Sequence, residues 1–371
     1  MTALFAGLIS GTSADGIDAA LVEFDDHGHP SLLTSITHPY PAPLRAHLER
    51  AVRAQAFPLA ELAVLDAAIA DAFGDAADAL LTAAGVEAAA VSALGSHGQT
   101  LGHYPGGVHG NTLQVGDPNR IAARSGIPVV ADFRRADMAV GGQGAPLAPL
   151  FHAMVFGSES ERRAVLNLGG IANLTILDPG CDISGFDVGP ANTLLDGWAD
   201  RHGHGRYDTG GAFAATGTVD RVLLEELLRE PFLAAAPPKS TGREYFNLGW
   251  LDVRLGVQHR DPADVQATLA EYTVTTIADA LKAYGTGVAR VYVCGGGVGN
   301  TDLIRRLEAR LPMPLASTTE LGVDPDFVEA MLFAWLARER INAHSPAGLA
   351  NVTGAQARAV LGGVWLPPRK L

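Results

Sequence analysis

The sequence contains few lysines and few cysteines for its length. Its 371 residues include three lysines, at positions 239, 282 and 370, and the formal net charge is −13. Because nucleic-acid backbones are bound by clusters of Lys and Arg, a broad nucleic-acid-binding face is excluded. The two cysteines, Cys181 and Cys294, provide neither a disulfide framework nor the spacing of a zinc site, so we expect two reduced, buried thiols.

Long apolar runs and a leader-like N-terminus are also missing. The first residues, MTALFAGLIS, lack a basic segment followed by a long apolar core, and the Ala-rich stretches further on are interrupted by Asp and Glu. With 47% hydrophobic and 18% charged residues, the composition is that of a globular protein. The length suits about two domains. We therefore expect a soluble cytoplasmic protein with neither a membrane nor a nucleic acid as partner.

A unit of strand, glycine-rich turn and strand occurs twice along the chain. The first unit spans residues 4–24, and the second, AVLNLGGIANLTIL, spans residues 164–177. Between and after these units, apolar residues recur with the periodicity of a helix at residues 60–84, 262–284 and about 325–343. The interleaving of strands and helices predicts two similar α/β domains with a cleft between them.

Three glycine-rich segments, each after a predicted strand, are candidates for holding phosphates. They are SGTSADG, NLGGIAN and CGGGVGN, and glycine lets backbone N–H groups approach an anion closely. Two common nucleotide motifs are excluded. The chain has no Gly-Lys pair, which a P-loop requires, and GGGVGN has Asn300 where a dinucleotide fingerprint requires its third glycine.

Polar residues near these segments are candidates for chemistry. Asp187 precedes a Gly-Pro turn at the predicted end of a strand at Phe186, where it could act as a base or cap the following helix. His97 lies in SHGQT, which we interpret as a polar loop that either contacts ligand or is structural. Arg134 could bind a ligand anion or belong to a surface Asp–Arg network, and Glu329 could face a ligand or serve as a helix-capping charge.

Taken together, the motifs resemble those of the anhydro-N-acetylmuramic acid kinases. GLISGTSADGIDAALV, GSHGQT, ADFR, NLGGIANLT, FDVGPANTLLD, CGGGVGN and VEAMLFAWLA occur in the family's order between residue 7 and about residue 340. The resemblance implies an α/β, two-domain actin/hexokinase-like (ribonuclease H-like) fold with an interdomain cleft. We expect domain I at residues 1–135 plus 341–371 and domain II at residues 136–340.

The resemblance further implies that ATP and Mg²⁺ are bound by the glycine-rich segments. The two hairpin turns would hold the phosphates, the late glycine loop would lie near the nucleoside, and Asp15 would help to place Mg²⁺ through water. The implied nucleotide-binding residues are Gly11, Thr12, Ser13, Ala14, Asp15, Gly16, Ile17, Asp18, Asn167, Gly169, Gly170, Asn173, Gly295, Gly296 and Gly297.

The implied reaction combines hydrolysis with phosphoryl transfer in cell-wall (peptidoglycan) recycling. Water opens the 1,6-anhydro ring of 1,6-anhydro-N-acetylmuramic acid, and O6 takes the γ-phosphoryl group of ATP to give N-acetylmuramic acid 6-phosphate. Asp187 corresponds to the family's catalytic base, while Arg134, Glu329 and His97 correspond to sugar-binding positions. The family also leads us to expect a homodimer.

The chain departs from the family's pattern beside the base and in the first loop. Val188 and Ala191 replace residues that are usually Thr and Gly, and Ala14 replaces a common Met. These changes remove no charged group. Two other functions remain open on the residues alone: an ordinary sugar kinase, which also needs an Asp base, and a sugar-binding sensor without turnover. Analysis of the product formed from anhydro and open sugars separates them.

Overall fold

The computed structural model describes residues 2–11, 16–54, 56–180, 183–346, 348–357 and 361–368. The strands are β1 Ala3–Ser10, β2 Gly16–Phe24, β3 Pro30–Pro39, β4 Val91–Tyr104, β5 Asn111–Val115, β6 Val129–Ala131, β7 Arg163–Leu168, β8 Ile171–Leu177, β9 Ile183–Pro190, β10 Arg290–Cys294, β11 Leu315–Ser317 and β12 Gly363–Trp365. The α-helices are α1 Ala42–Arg53, α2 Leu59–Ala84, α3 Pro118–Ser125, α4 Phe133–Met138, α5 Ala148–Phe156, α6 Asn192–Arg201, α7 Ala212–Thr216, α8 Arg221–Leu228, α9 Pro231–Ala234, α10 Leu248–Leu255, α11 Pro262–Tyr284, α12 Thr301–Arg310, α13 Val328–Ile341 and α14 Leu349–Thr353.

The chain divides into two compact units, each built around its own sheet. Unit 1 comprises Met1–Val155 and Phe327–Leu371, and unit 2 comprises Phe156–Asp326. The C-terminal segment belongs to the first unit. The boundaries differ from the expected positions near residues 135 and 340, because α5 begins in unit 1 and α13 packs on β1 and β4 of unit 1.

The two sheets repeat one topology. In unit 1 the strand order is β12-β6-β4-β1-β2-β3, with β5 paired to β4, and in unit 2 it is β11-β10-β7-β8-β9. Each unit begins with three antiparallel strands, β1–β2–β3 or β7–β8–β9, and then adds parallel strands beside the first of them. The prediction of an α/β fold with two similar halves is therefore confirmed.

Unit 1 has helix α2 on one face of its sheet and helix α13 on the other. Ala6 and Leu8 of β1 belong to the core that includes α2, a helix that ends at Gly85 with φ +65°. Gly7 points to the opposite face because side chains alternate along a strand. There a Cβ on Gly7 would lie 2.0 Å from the carbonyl oxygen of Ala330, so the backbone of α13 rests directly on the sheet.

The same close approach occurs on the neighbouring strand. Gly95 is the register partner of Gly7, and a Cβ there would lie 2.0 Å from the carbonyl oxygen of Phe333. A side chain at either glycine would force α13 away from the sheet, since the contacts are with backbone atoms. The glycine pair therefore fixes the height of α13 and with it the position of Glu329, which precedes Ala330.

Unit 2 packs its sheet against α11, whose predicted bounds of 262–284 are confirmed. Asp261 caps this helix by accepting a hydrogen bond from the Ala263 N–H (2.8 Å), and Pro262 stands at its first position. Midway along the helix, the Thr273 hydroxyl donates to the carbonyl oxygen of Pro190 (3.1 Å). This bond ties α11 to the end of β9, the strand that carries Asp187.

Two local predictions were wrong, and both concern where a strand ends. The segment SHGQT is part of β4 and not a loop, since the strand continues to Tyr104 past Gly98 at φ +71°. Strand β9 continues past Phe186 to Pro190, so Asp187 lies within it. Polar residues inside a buried strand lack the apolar signal that marks strands in a sequence.

Within the described ranges, no helix combines the length and the apolar character needed to cross a membrane.

Candidate active site

The first glycine-rich loop begins at the end of β1 and returns at the start of β2. Four predicted nucleotide-binding residues, Thr12, Ser13, Ala14 and Asp15, lie outside the described residues. At the start of the loop, Gln99 Nε2 donates to the carbonyl oxygen of Gly11 (3.3 Å), and a Cβ on Gly11 would meet no described atom within 4 Å. At its end, a Cβ on Gly16 would lie 2.9 Å from the carbonyl oxygen of His38. Gly11, directly after β1, therefore has open space beside it among the described residues, whereas Gly16 at the start of β2 occupies a crowded position.

The last two residues predicted for this loop differ in their surroundings. The side chain of Ile17 is fully buried in the core of unit 1, so any contact with a ligand would use its backbone. Asp18 Oδ1 accepts a hydrogen bond from the Thr37 hydroxyl (2.7 Å). Burial raises the pKa of the Glu329 carboxyl, and the negative charge of Asp18 acts in the same direction. The charge of Asp18 therefore acts on one of the predicted sugar-binding residues.

Those residues form a cluster in unit 1 centred on Arg134. Arg134 Nε donates to His97 Nε2 (2.8 Å), and Arg134 Nη1 donates to the carbonyl oxygen of Gly144 (3.0 Å). Because Nε2 of His97 accepts a hydrogen bond, the proton is on Nδ1, which donates to the carbonyl oxygen of Gly98 (3.1 Å). Burial, and then the charge of Arg134, lower the pKa of His97 well below its usual value. The imidazole is consequently neutral.

Glu329 completes this cluster from the first turn of α13. Burial raises the pKa of its carboxyl, while the guanidinium of Arg134 acts in the opposite direction. The ring of Phe333, one turn further along α13, packs on His97 with ring centroids 4.7 Å apart. The structure therefore brings Arg134, His97 and Glu329 together from three separate segments. Arg135 instead pairs with Asp132 at the surface (2.5 Å), as the alternative of a surface network requires.

The second and third glycine-rich segments lie side by side in unit 2. Parallel pairing of β10 with β7 makes Cys294 the register partner of Asn167. Beyond Cys294, Gly295 has φ +83°, and a Cβ on it would lie 2.2 Å from Asn167 Oδ1. A Cβ on Gly297 would lie 2.6 Å from the Cβ of Leu168, whereas a Cβ on Gly296 would meet no described atom within 4 Å. Both contacts require glycine, and they join the two predicted nucleotide segments.

The turn between β7 and β8 also holds the start of α6. The carbonyl oxygen of Gly170 accepts hydrogen bonds from the N–H groups of Ala191 and Thr193 (both 3.0 Å). The carbonyl oxygen of Gly169 accepts one from the N–H of Asn192 (3.1 Å). The first amides of α6 are therefore occupied by the turn. Asp187 does not cap this helix, because the capping position is Ala191.

Three polar residues form a row across the neighbouring strands β7, β8 and β9. Asn173 is the register partner of Asn167 on one side and of Asp187 on the other. The Oδ1 atoms of both asparagines are buried and have no hydrogen-bond partner among the described residues. A buried polar atom without a partner costs about 1–3 kcal/mol, which favours a ligand or a water molecule at each oxygen.

Asp187 is held at the end of this row by backbone groups. Its side chain is nearly buried, at 7% exposure. Its Oδ2 accepts a hydrogen bond from the N–H of Thr241 (2.9 Å), and its own N–H donates to the carbonyl oxygen of Lys239 (3.1 Å). The two residues that depart from the family's pattern nearby, Val188 and Ala191, are buried in the core of unit 2. Both departures therefore lie in the apolar packing of unit 2.

Sequence reasoning missed Gln99, Lys239 and Thr241. Gln99 is fully buried and donates a hydrogen bond at the start of the first loop. Lys239 and Thr241 contact Asp187 through their backbone groups. Lys239 offered a usable signal, since it is one of three lysines in the chain and lies in the segment PPKSTG. Nothing in the spacing of Gln99 or Thr241 marks them as contacts.

Comparison with known proteins gave matches along nearly the whole chain. Residues 3–367 match the family model described as anhydro-N-acetylmuramic acid kinase. The protein of that name from Xanthomonas campestris pv. campestris (strain 8004) is 50% identical over 366 residues, covering 98% of this chain and 97% of the relative. The one from Coxiella burnetii (strain Dugway 5J108-111) is 45% identical over 364 residues, covering 97% of each.

Solved structures resemble the chain at much lower identity. An activator of 2-hydroxyisocaproyl-CoA dehydratase from Clostridium difficile with bound ADPNP has a TM-score of 0.46 at 11% identity, covering 92% of this chain and 96% of that chain. A ROK family glucokinase from Streptomyces griseus in complex with glucose and AMPPNP has a TM-score of 0.37 at 16% identity, covering 91% and 99%.

Proposed function

Because this chain belongs to the anhydro-N-acetylmuramic acid kinase family, we propose that it opens the ring of 1,6-anhydro-N-acetylmuramic acid and phosphorylates O6 with ATP. The product is N-acetylmuramic acid 6-phosphate, an intermediate of cell-wall recycling. The observation that carries the proposal is the nearly buried Asp187, fixed beside two glycine-rich segments in a chain 45–50% identical to proteins of this name. ATP and the recycled sugar meet in the cytoplasm, so the proposal assigns the protein to that compartment.

Asp187 acts in this proposal as the general base. Water attacks the anomeric carbon, its proton passes to the carboxylate, and the bond from that carbon to O6 breaks. The freed O6 then attacks the γ-phosphorus of ATP, and ADP leaves with the electrons of the broken phosphoanhydride bond. A positioned base contributes typically ~10²–10⁴-fold to a rate. The hydrogen bond from the Thr241 N–H supports this role because it favours the charged carboxylate and fixes its orientation.

The Arg134 cluster serves the sugar. Arg134 presents guanidinium donors next to a neutral His97, and Glu329 adds an acceptor for a sugar hydroxyl. A guanidinium binds oxygen atoms in a fixed planar geometry, which suits recognition of a particular sugar orientation. Because the charge of Asp18 acts on Glu329, we count Asp18 among the sugar contacts as well.

The glycine-rich segments of unit 2 suit ATP. Backbone N–H groups at Gly169, Gly170, Gly296 and Gly297 would hold phosphate or nucleoside oxygens, while the N–H of Gly295 donates to the carbonyl oxygen of Pro325 (2.9 Å). The unpartnered Oδ1 atoms of Asn167 and Asn173 fit donors such as ribose hydroxyls or metal-bound water. Mg²⁺, carried with the nucleotide, would neutralise phosphate charge during transfer. Asp15, the residue expected to contact it through water, lies outside the described residues.

Mass spectrometry of the product tests the proposed function directly. The enzyme is incubated with ATP, Mg²⁺ and 1,6-anhydro-N-acetylmuramic acid in ¹⁸O-labelled water. We expect a sugar phosphate with one label at the anomeric oxygen. An unlabelled sugar phosphate would contradict ring opening by water. No product from this sugar, with product from ordinary sugars, would make the protein an ordinary sugar kinase, and ATP binding without any turnover would make it a sensor.

A further inference from the structure

Lys239 is a buried lysine close to the proposed base. It lies in the connection between α9 and α10, with 9% of its surface exposed. Its ammonium group donates to the carbonyl oxygens of Phe232 (3.2 Å) and Leu233 (3.1 Å) and lies 4.7 Å from the centre of the Phe232 ring. A buried ammonium costs several kcal/mol of hydration, so its position needs a compensating reason.

The backbone of this lysine, and that of Thr241 two residues further on, contacts Asp187. The carbonyl oxygen of Lys239 accepts the N–H of Asp187, and the N–H of Thr241 donates to Asp187 Oδ2. Residues 239–241 therefore contact both the main chain and the carboxylate of the proposed base. Any movement of this segment would move the carboxylate or remove one of its hydrogen bonds.

The segment is in turn anchored through α9 to Glu230. The side chain of Glu230 is fully buried and accepts hydrogen bonds from the Phe232 N–H (3.2 Å), the Tyr245 hydroxyl (2.6 Å) and Trp250 Nε1 (2.9 Å). It also pairs with Arg254 at 2.5 Å. Glu230 thus caps α9, whose carbonyl oxygens hold Lys239.

Lys239 supplies positive charge to the surroundings of Asp187. Burial lowers the pKa of Lys239 and the charge of Asp187 raises it, which is the mutual attraction of an opposite pair. The other neighbours of β9 contribute uncharged polar groups. They are Asn173 on β8, and Thr273 and Thr276 on α11 at the end of the strand.

Further groups around this strand have described contacts as well. Helix α9 has the sequence PFLA, without an ionisable side chain. The ring of Tyr284 packs on Phe186. Next along the loop, Arg243 and Glu244 act on one another.

We propose that Lys239 is a positioning residue for Asp187, anchoring residues 239–241 against the carboxylate and placing a positive charge in its surroundings. This inference rests on the proposed function only in taking Asp187 as the base. Lys239 acts through Asp187 and through backbone groups, and it has no assigned contact with sugar or nucleotide.

Charge and anchoring are separated by three substitutions. Lys239→Gln keeps amide donors for the two carbonyl oxygens but removes the charge, Lys239→Met removes both, and Lys239→Arg keeps the charge. Lys282→Gln, at an exposed position of α11, is the matched control. Two readouts are compared: the pH profile of kcat/KM, and a ¹³C NMR titration of aspartate-labelled protein in which Asp187→Asn identifies the resonance.

We expect Lys239→Gln and Lys239→Met to raise the titration midpoint of Asp187 by about 0.5–1 pH unit and to move the acidic limb of the kcat/KM profile by the same amount. In both variants kcat should fall about 10–100-fold, with the KM for ATP within about twofold of the wild type. Lys239→Arg should restore the wild-type pH profile. A Gln variant that titrates like the wild type would overturn the inference. So would loss of folding in both neutral variants, since Lys239 would then be merely structural. The NMR titration needs no turnover, so an enzyme inactive on the anhydro sugar would contradict the proposed function and leave this test intact.

Discussion

The two units repeat one strand order but hold their candidate groups in different ways. In unit 1, Arg134, His97 and Glu329 come from three segments, and their side chains support one another through a hydrogen bond and through charge. In unit 2, Asp187 is supported by an N–H group and a carbonyl oxygen of residues 239–241. A repeated fold therefore does not imply a repeated way of building a site.

The difference determines what a substitution can remove. In unit 1 each side chain is both a candidate contact and a support for its neighbours, so one change disturbs several groups. In unit 2 the N–H of Thr241 and the carbonyl oxygen of Lys239 that contact Asp187 are backbone groups, which remain when the side chain of Asp187 is replaced. Substitutions in unit 2 should consequently have separate effects on chemistry and on binding, whereas those in unit 1 should combine them.

Asp187→Asn should give the greatest loss of activity. The amide cannot accept a proton from water, and the Thr241 N–H can still donate to the amide oxygen, so the local structure is kept. We expect kcat to fall at least ~10³-fold, within the range for a general base, with ATP affinity within about threefold. Turnover is measured by ADP release and affinity by calorimetry.

The control for this change is Asp200→Asn, at an exposed position of α6. It should leave turnover unchanged. Turnover of Asp187→Asn within about tenfold of the wild type would exclude Asp187 as the base, because the expected contribution is much larger.

The sequence predicted the fold, whereas the arrangement of the candidate site residues could not be predicted from it. Periodicity located α11 at its observed bounds, and the repeated strand–glycine–strand unit indicated the two α/β halves. The grouping of Glu329 with Arg134 and His97 depends on long-range packing, above all on Gly7 and Gly95 admitting α13. Such contacts leave no local pattern, because even Arg134 and His97 are separated by 37 positions in the chain.

The residues missed around Asp187 show a second limit. Thr241 contributes a backbone N–H, which every residue except proline carries, so its side chain gives no signal. The ends of β4 and β9 were misjudged for a related reason. Their last residues are polar and glycine-rich, and only pairing with neighbouring strands makes them extended.

Arg134→Met tests the other side of the comparison. Removing the guanidinium takes away the proposed donor to the sugar, the hydrogen bond to His97 and a positive charge near Glu329. Hydrogen bonds to charged groups contribute about 1.5–3 kcal/mol, so we expect the sugar KM to rise about 10–100-fold with the ATP KM nearly unchanged. Steady-state kinetics with each substrate varied in turn measures both constants.

Arg135→Met is the matched control, since Arg135 pairs with Asp132 at the surface. It should change neither KM by more than about twofold, in line with the small contribution of surface pairs. Equal effects of the two substitutions would remove Arg134 from the sugar site. A rise in the KM for ATP alone would move the Arg134 cluster to the nucleotide and contradict the division of roles between the units.

The two units should also differ in how their buried histidines make the free energy of unfolding depend on acid pH. Burial lowers the pKa of His152 in unit 1 to about 3, and that of His103 to about 4. A histidine with a depressed pKa in the folded state stabilises the protein fully above its unfolded value near 6.5. That contribution is lost as the pH falls toward the folded value, because the unfolded chain binds the extra proton first.

His152→Asn removes this dependence. The difference in the free energy of unfolding between wild type and variant should shrink as the pH falls from 6.5 toward 3, with a limiting slope of about 1.4 kcal/mol per pH unit. Urea unfolding at several pH values measures it, and carboxylates common to both proteins cancel. His202→Asn in unit 2 is the control: His202 is only partly buried, and its smaller lowering of the pKa gives a shallower slope. Equal slopes for the two variants would mean that burial of imidazoles does not distinguish the units, and the contrast between them would then be confined to how each holds its candidate site.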